Sequence, residues 1–219
     1  MEHPHLLEYL EGFISEARKA RFAEVLARRT RYLTVAMEDV YQLHNTSAVM
    51  RSCEVFGLQD LYLIEGKSGR RPDRKIALGA ERWVDLHRYA NTSDCLESLK
   101  SKGYRLVATT PSGDACSLDD FILDTPTALL FGTEREGLSK AALQASDAML
   151  RIPMAGFTES LNISVAAAII LYKLTTDLRN SALPWRLSEA EAEALRLAWT
   201  RKSVKGLPGI LERFRKDFG

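Results

Sequence analysis

Apolar residues recur at helical spacing near the start of the chain and later give way to short continuous runs. Leu6, Leu7, Leu10, Phe13 and Ile14, then Phe22, Val25 and Leu26, form one stripe that predicts a helix over residues 4–29. Residues 32–37 read as a strand. Beyond them strands and helices alternate. The pattern predicts a helix over 47–56, with Val49, Cys53 and Phe56 on one face and Gly57 as its stop. It then predicts strand 61–64, helix 94–102, strand 105–109, strand 128–131, helix 140–145, strand 149–153 and helix 161–179. Short apolar strands separated by helices imply an α/β fold, a parallel sheet covered on both faces. In such sheets ligands sit at the carboxyl ends of the strands. Residues 181–187 read as a linker and 188–216 as a helical tail, so the expected division is a helical extension over 1–30, a central domain over 31–180 and a second extension over 181–219.

Composition narrows the class. Of 219 residues, 46% are hydrophobic and 27% charged, which excludes a disordered or fibrous chain. The formal net charge is +1, so total charge names no partner. Cys53, Cys95 and Cys116 stand far apart and fit neither a disulfide framework nor a zinc spacing, which suits a reducing, cytoplasmic setting. The longest apolar run, Val165 to Tyr172, falls short of a membrane span, and no secretory leader is read in the first residues. Asn45, Asn91 and Asn162 match the glycosylation pattern but would be unused in the cytoplasm.

The charge is unevenly spread. Residues 16–31 carry six basic residues against two acidic ones, residues 67–75 five against one, and residues 196–216 seven against Glu212. Three such clusters suit a phosphate-rich partner; three solvated faces would read the same way.

Three segments stand out as candidate chemistry. In His44-Asn45-Thr46-Ser47-Ala48-Val49-Met50-Arg51, Asn45 is placed to cap the helix, and Arg51 lies off its apolar stripe. In Phe131-Gly132-Thr133-Glu134-Arg135-Glu136-Gly137, two glycines bracket a charged turn after a strand, in neither the Walker nor the GxGxxG order. In the stretch from Ile152-Pro153-Met154 to Ser160-Leu161-Asn162-Ile163-Ser164-Val165-Ala166, a strand ends at proline and a helix opens with Ser160 and Asn162. Polar groups and free N–H groups at a helix start suit a polar ligand. Read singly, these are also an ordinary cap, a plain turn and a buried helix. Ser160 lacks a GxSxG elbow and a histidine to serve it, so a serine hydrolase is not expected. The four histidines show no metal spacing, and Trp83, Trp185 and Trp199 read as core or interface anchors.

Together the three segments resemble the three motifs of the SpoU branch of the SPOUT RNA methyltransferases. Asn45 and Arg51 match the first, Gly132, Glu134 and Gly137 the second, and Ile152-Pro153-Met154 through Ser160-Leu161-Asn162 the third. The order and separation of the motifs agree over nearly the whole chain, and the segment from Val25 to Asn45 is similar to the tRNA guanosine-2′-O-methyltransferases within that branch. The resemblance implies a knotted α/β fold, a deep trefoil, with a mostly parallel sheet. It implies S-adenosylmethionine as methyl donor, no metal, and donor contacts at Thr109, Gly132, Ile152, Met154 and Leu161. It implies a homodimer in which Arg51 reaches the donor bound by its partner, and a substrate that is a ribose 2′-hydroxyl, typically of guanosine 18 in the D-loop of tRNA. Arg51 is then expected to bind the adjacent phosphate and offset charge on the attacking oxygen. Asn45, Ser160 and Asn162 would fix it, and Glu134 would orient the site. Arg18, Lys19, Arg21 and Arg28 match the family's N-terminal RNA-binding helix. Glu159, where relatives usually carry glutamine, and the poorly matching C-terminal tail are departures. Ribosomal RNA or the anticodon loop as substrate, and a non-catalytic RNA-binding protein of the same fold, are the competing readings.

Overall fold

The structure, a computed structural model, describes residues 3–40, 42–65, 79–111 and 114–218. The basic segment over 67–75 lies outside the described residues. The chain forms two compact units: residues 30–185, and residues 1–29 together with 186–219.

Among the described residues, the larger unit is built on a seven-stranded sheet: β1 (Leu33–Glu38), β2 (Asp60–Ile64), β3 (Asp85–Tyr89), β4 (Arg105–Thr109), β5 (Cys116–Ser117), β6 (Thr127–Phe131) and β7 (Ala148–Arg151). The strand order is β3-β2-β1-β6-β4-β7-β5, and every pairing between strands is parallel. Alternation along each strand splits the core into two layers. Leu33, Val35, Met37, Leu129 and Phe131 face α3 (Leu43–Phe56) and α6 (Ile163–Asn180), which supply Val49, Met50, Cys53, Ala167, Ile170 and Leu174. Ala36, Ala128 and Leu130 face the other way, toward α4 (Thr92–Ser101) and α5 (Lys140–Ala145), with Cys95, Leu99 and Ala142 between them. Burial there pushes the Cys95 thiol up to about 12, so it packs as a neutral apolar group. No helix of the described residues is long and apolar enough to cross a membrane.

At the amino ends of β2 and β3, Asp60 and Asp85 stand opposite each other in register. Arg31 forks between them, donating from Nη1 to Asp60 and from Nη2 to Asp85 at 2.9 Å. His87 Nε2 lies 2.7 Å from Asp60, and the His87 ring stacks on Tyr62 with centroids 4.5 Å apart. Burial alone would raise the Asp60 carboxyl, but the His87 hydrogen bond and the Arg31 guanidinium outweigh it and hold the group below the usual carboxylate range.

The smaller unit holds α1 (Leu6–Glu11), α2 (Glu16–Leu26), α7 (Glu189–Ser203) and α8 (Leu207–Phe218). Leu6, Leu10, Val204, Ile210 and Phe214 form its core, Arg196 pairs with Glu11, and the Arg29 guanidinium lies 5.5 Å over the Trp199 ring. The single helix expected over 4–29 is therefore corrected to two. The stripe continues across the break, but Ser15 accepts a hydrogen bond from Arg18 N and starts a new helix. The tail is likewise two helices, the first opened by a capping box between Ser188 and Glu191.

Candidate active site at the carboxyl ends of the central strands

β4, β6 and β7 lead into one cavity of about 440 Å³, the size of a cofactor site. Thr109 and Thr110 wall it after β4, the loop from Gly132 to Leu138 after β6, and Ile152 and Met154 after β7; Ser160 and Leu161 close it before α6. Thr109 Oγ1 donates to the Leu130 carbonyl at 2.7 Å, locking the end of β4 to β6.

The loop after β6 is a tight ring. Thr133 N donates to Gly137 O at 2.9 Å and Gly137 N to Thr133 O at 3.0 Å, while Glu136 N donates to Thr133 Oγ1 at 3.0 Å. A Cβ on Gly132 would lie 2.1 Å from the Gly137 carbonyl carbon and 2.2 Å from Leu138 N, so no side chain fits. Gly137 closes the ring with φ +69°, in the left-handed region. The bracketing glycines are steric and conformational requirements of a backbone folded onto itself, with Glu134 carried on its outer turn.

That glutamate joins the other two segments. Asn45 Nδ2 donates to Glu134 Oε1. Asn162 Nδ2 donates to Asn45 Oδ1 at 3.2 Å. Asn162 Oδ1 in turn accepts from Ser164 N at 2.8 Å and Ser164 Oγ at 2.6 Å, capping α6. Each amide therefore spends its N–H₂ in one direction and its oxygen in the other, from the helix cap to the carboxylate. The helix expected over 161–179 begins at Ile163, with Asn162 as its N-cap. Asn45, expected as a cap, is not one: α3 begins two residues earlier with Gln42 at the cap position, and the Asn45 side chain is given to the tertiary chain.

Of the expected site residues, Thr109, Gly132, Glu134, Ile152, Met154, Ser160 and Leu161 line the cavity; Thr110, Leu138 and Glu159 line it as well. Arg51 is exposed on α3 and is not part of the lining. Six residues past Asn45, it stands about 240° round the helix. Val55, one turn on, shares its face and is 64% exposed. On α6, Val165, Ile169 and Tyr172 form an exposed apolar stripe at helical spacing, with the Tyr172 and Phe56 rings 6.1 Å apart. In the smaller unit, Lys19 pairs with Glu16 at 2.7 Å and Arg21 with Glu24 at 2.7 Å, while Arg28 lies 3.6 Å from Glu24 and Arg18 is exposed. Trp185 and Trp199 are buried anchors. Among the described residues no cluster of His, Cys, Asp and Glu could hold a metal ion.

Residues 32–172 match the model of the SpoU rRNA Methylase family. The chain is 42% identical over 196 residues, 90% of each protein, to the tRNA (guanosine(18)-2′-O)-methyltransferase of Borreliella burgdorferi. It superposes on the TrmH/SpoU tRNA modifying enzyme of A. aeolicus with TM-score 0.77 and 31% identity, covering 87% of this chain and 98% of that one. The SpoU methyltransferase AviRb of Streptomyces viridochromogenes, crystallised with the cofactor AdoMet, matches with TM-score 0.62 and 28% identity over 72% of this chain and 62% of its own. A parallel sheet, a looped cavity at its carboxyl ends and three polar segments tied together there, in a chain so similar to these proteins, lead to one conclusion: this chain belongs to the SpoU methylase family.

Proposed function

We propose that this protein transfers the methyl group of AdoMet to the ribose 2′-hydroxyl of guanosine 18 in tRNA. The observation that carries the reading is the Glu134–Asn45–Asn162 chain, which ties all three motif segments together through Glu134, a residue of the cofactor-sized cavity's lining; Asn45 and Asn162 themselves lie outside that lining. The lining fits AdoMet. Gly132, Ile152 and Leu161 offer backbone groups and apolar side chains for a flat base, and the Gly137–Leu138 backbone packed against Gly132, where a Cβ would clash, sets the shape of the loop that walls the cavity. Bound there, the cofactor supplies an electrophilic methyl group on a sulfonium.

The chain's own residues then position and polarise the sugar. A ribose hydroxyl is a weak nucleophile, so its orientation and the charge growing on its oxygen decide the rate. Arg51 supplies a permanent cation that binds the neighbouring phosphate and offsets that charge. Ser160 and the Asn45–Asn162 pair fix the sugar edge, and Glu134 holds the Asn45 amide in one orientation. Because Arg51 is turned about 120° from Asn45 around α3 and lies outside the cavity lining, we assign it to the site of a second subunit. The exposed Val55, Val165, Ile169 and Tyr172 offer the apolar face for that homodimer. Arg18, Lys19, Arg21 and Arg28 would contact tRNA phosphates, and a tRNA substrate implies a cytoplasmic place of work.

The test is incubation with labelled AdoMet and unmodified tRNA, followed by nucleoside mapping. The expected product is 2′-O-methylguanosine in the D-loop. Label in ribosomal RNA or the anticodon loop would reassign the substrate, and transfer to no RNA would overturn the reading.

A further inference from the structure

Beside the cavity, but outside its lining, Glu38 ends β1 as a carboxylate only 5% exposed in a strand that is apolar apart from Thr34. Three donors converge on it. Ser139 N donates to Oε2 at 2.8 Å, Ser139 Oγ donates to Oε1 at 2.7 Å, and Thr92 Oγ1 donates to the same Oε1. Ser139 is the residue that leaves the Gly132–Leu138 loop and caps α5, its Oγ also accepting from Ala142 N at 3.1 Å. Thr92 opens α4. The strand register sets Met37 against Phe131, so the carboxylate and the start of the loop share one level of the sheet.

The loop is thus held at three points. Asn45 holds Glu134 on its turn, the Thr133–Gly137 pair holds its waist, and Glu38 holds its exit. Burying a carboxylate is costly, and the three hydrogen bonds offset that cost only while the Ser139 amide and hydroxyl both point at it. If the loop exit shifts, a charged group is left buried and poorly paired, so the carboxylate makes the closed loop the favoured state.

We propose that Glu38 is a positioning residue for methyl transfer: it fixes the exit of the Gly132–Leu138 loop in the shape that receives AdoMet. The inference rests on the reading of the cavity as the AdoMet site. Glu38 touches neither donor nor RNA, and its loss acts through the loop on donor affinity alone.

The experiment compares Glu38→Gln with the wild-type protein by calorimetric titration of AdoMet and by steady-state kinetics on unmodified tRNA. Glutamine keeps the shape but offers one acceptor oxygen and brings two N–H groups of its own to three donors. The expected result is a rise of about tenfold in both the Kd and the KM for AdoMet, the size of one lost buried hydrogen bond, with kcat at saturating AdoMet and the KM for tRNA within about twofold. A fall in kcat with the KM for AdoMet unchanged would mean a merely structural role and would overturn the proposal. Should Glu38→Gln not fold, Ser139→Ala removes the hydroxyl donor from the other side, and the same split, about threefold in KM for AdoMet, is expected; an unchanged KM would overturn the proposal equally. Absence of AdoMet binding by the wild-type protein would instead strike the reading of the cavity itself.

Discussion

Asn162 donates its amide hydrogen to the Asn45 side-chain oxygen at 3.2 Å, joining residues 117 positions apart in the chain. The bond fixes both amides, because Asn45 must then turn its own N–H₂ toward Glu134 and Asn162 its oxygen toward the start of α6. Reversing one link should break the chain. Asn45→Asp keeps size but sets a carboxylate against the Glu134 carboxylate. A fall in kcat/KM of about 10²-fold is expected, comparable to the loss of one preorganised donor, with a small change in Tm. Kinetics beside thermal melting check this; near wild-type activity would remove the chain from the mechanism.

Gly132 makes a sharper steric prediction. The Cβ of Gly132→Ala would meet the Gly137 carbonyl carbon at 2.1 Å, so the ring has to open. The variant should lose about 2 kcal/mol of stability in urea unfolding, an ordinary overpacking cost, and should show no heat with AdoMet. Wild-type affinity for AdoMet would mean the loop shape is not what receives it.

Arg51 is tested by mixing two inactive subunits. One carries Arg51→Ala with its loop intact; the other carries Gly132→Val with Arg51 intact. In the purified heterodimer, one cavity is complete if Arg51 acts across the interface, so about half of wild-type activity should return. If Arg51 serves its own cavity, the heterodimer stays inactive.

The Asp60 cluster predicts how stability depends on pH. Its folded carboxyl is held below the unfolded value, so its contribution is complete above about pH 4 and is lost as pH falls through the lower folded value. Asp60→Asn should cost about 3 kcal/mol at neutral pH, since it leaves Arg31 poorly paired, and the difference from wild type should shrink below about pH 4. Urea unfolding between neutral and acid pH measures it; a pH-independent difference would contradict the assignment.

Much of this was legible in the residues because burial leaves a local mark. Continuous apolar runs announce β1, β2, β4 and β6, and glycines at fixed spacing announce a backbone that folds onto itself. β3 left no such mark: it is an edge strand reading Asp-Leu-His-Arg-Tyr, half exposed, whose polar groups join the Arg31 cluster. The break before Ser15 was hidden because the apolar stripe continues through it. Asn45 looks like a cap when only its neighbours are considered; besides Gln42, three residues back, its side-chain partners lie 89 and 117 residues away, beyond any local pattern. Glu38 carried a faint signal, a carboxylate closing an apolar strand, but nothing in the chain names the Ser139 that receives it. The two terminal helical segments read as separate extensions, yet they share one unit, since a core formed by Leu10 and Phe214 has no signature in either segment alone.

The most direct measurement concerns the atom that receives the methyl group. Two tRNAs are prepared that differ only in the 2′-hydroxyl of guanosine 18, one with ribose and one with deoxyribose at that position, and each is incubated with the protein and labelled AdoMet. The account expects label in the first and background in the second, with both tRNAs bound alike. Equal labelling of the two would contradict it, because the methyl group would then be going to a base or to another sugar.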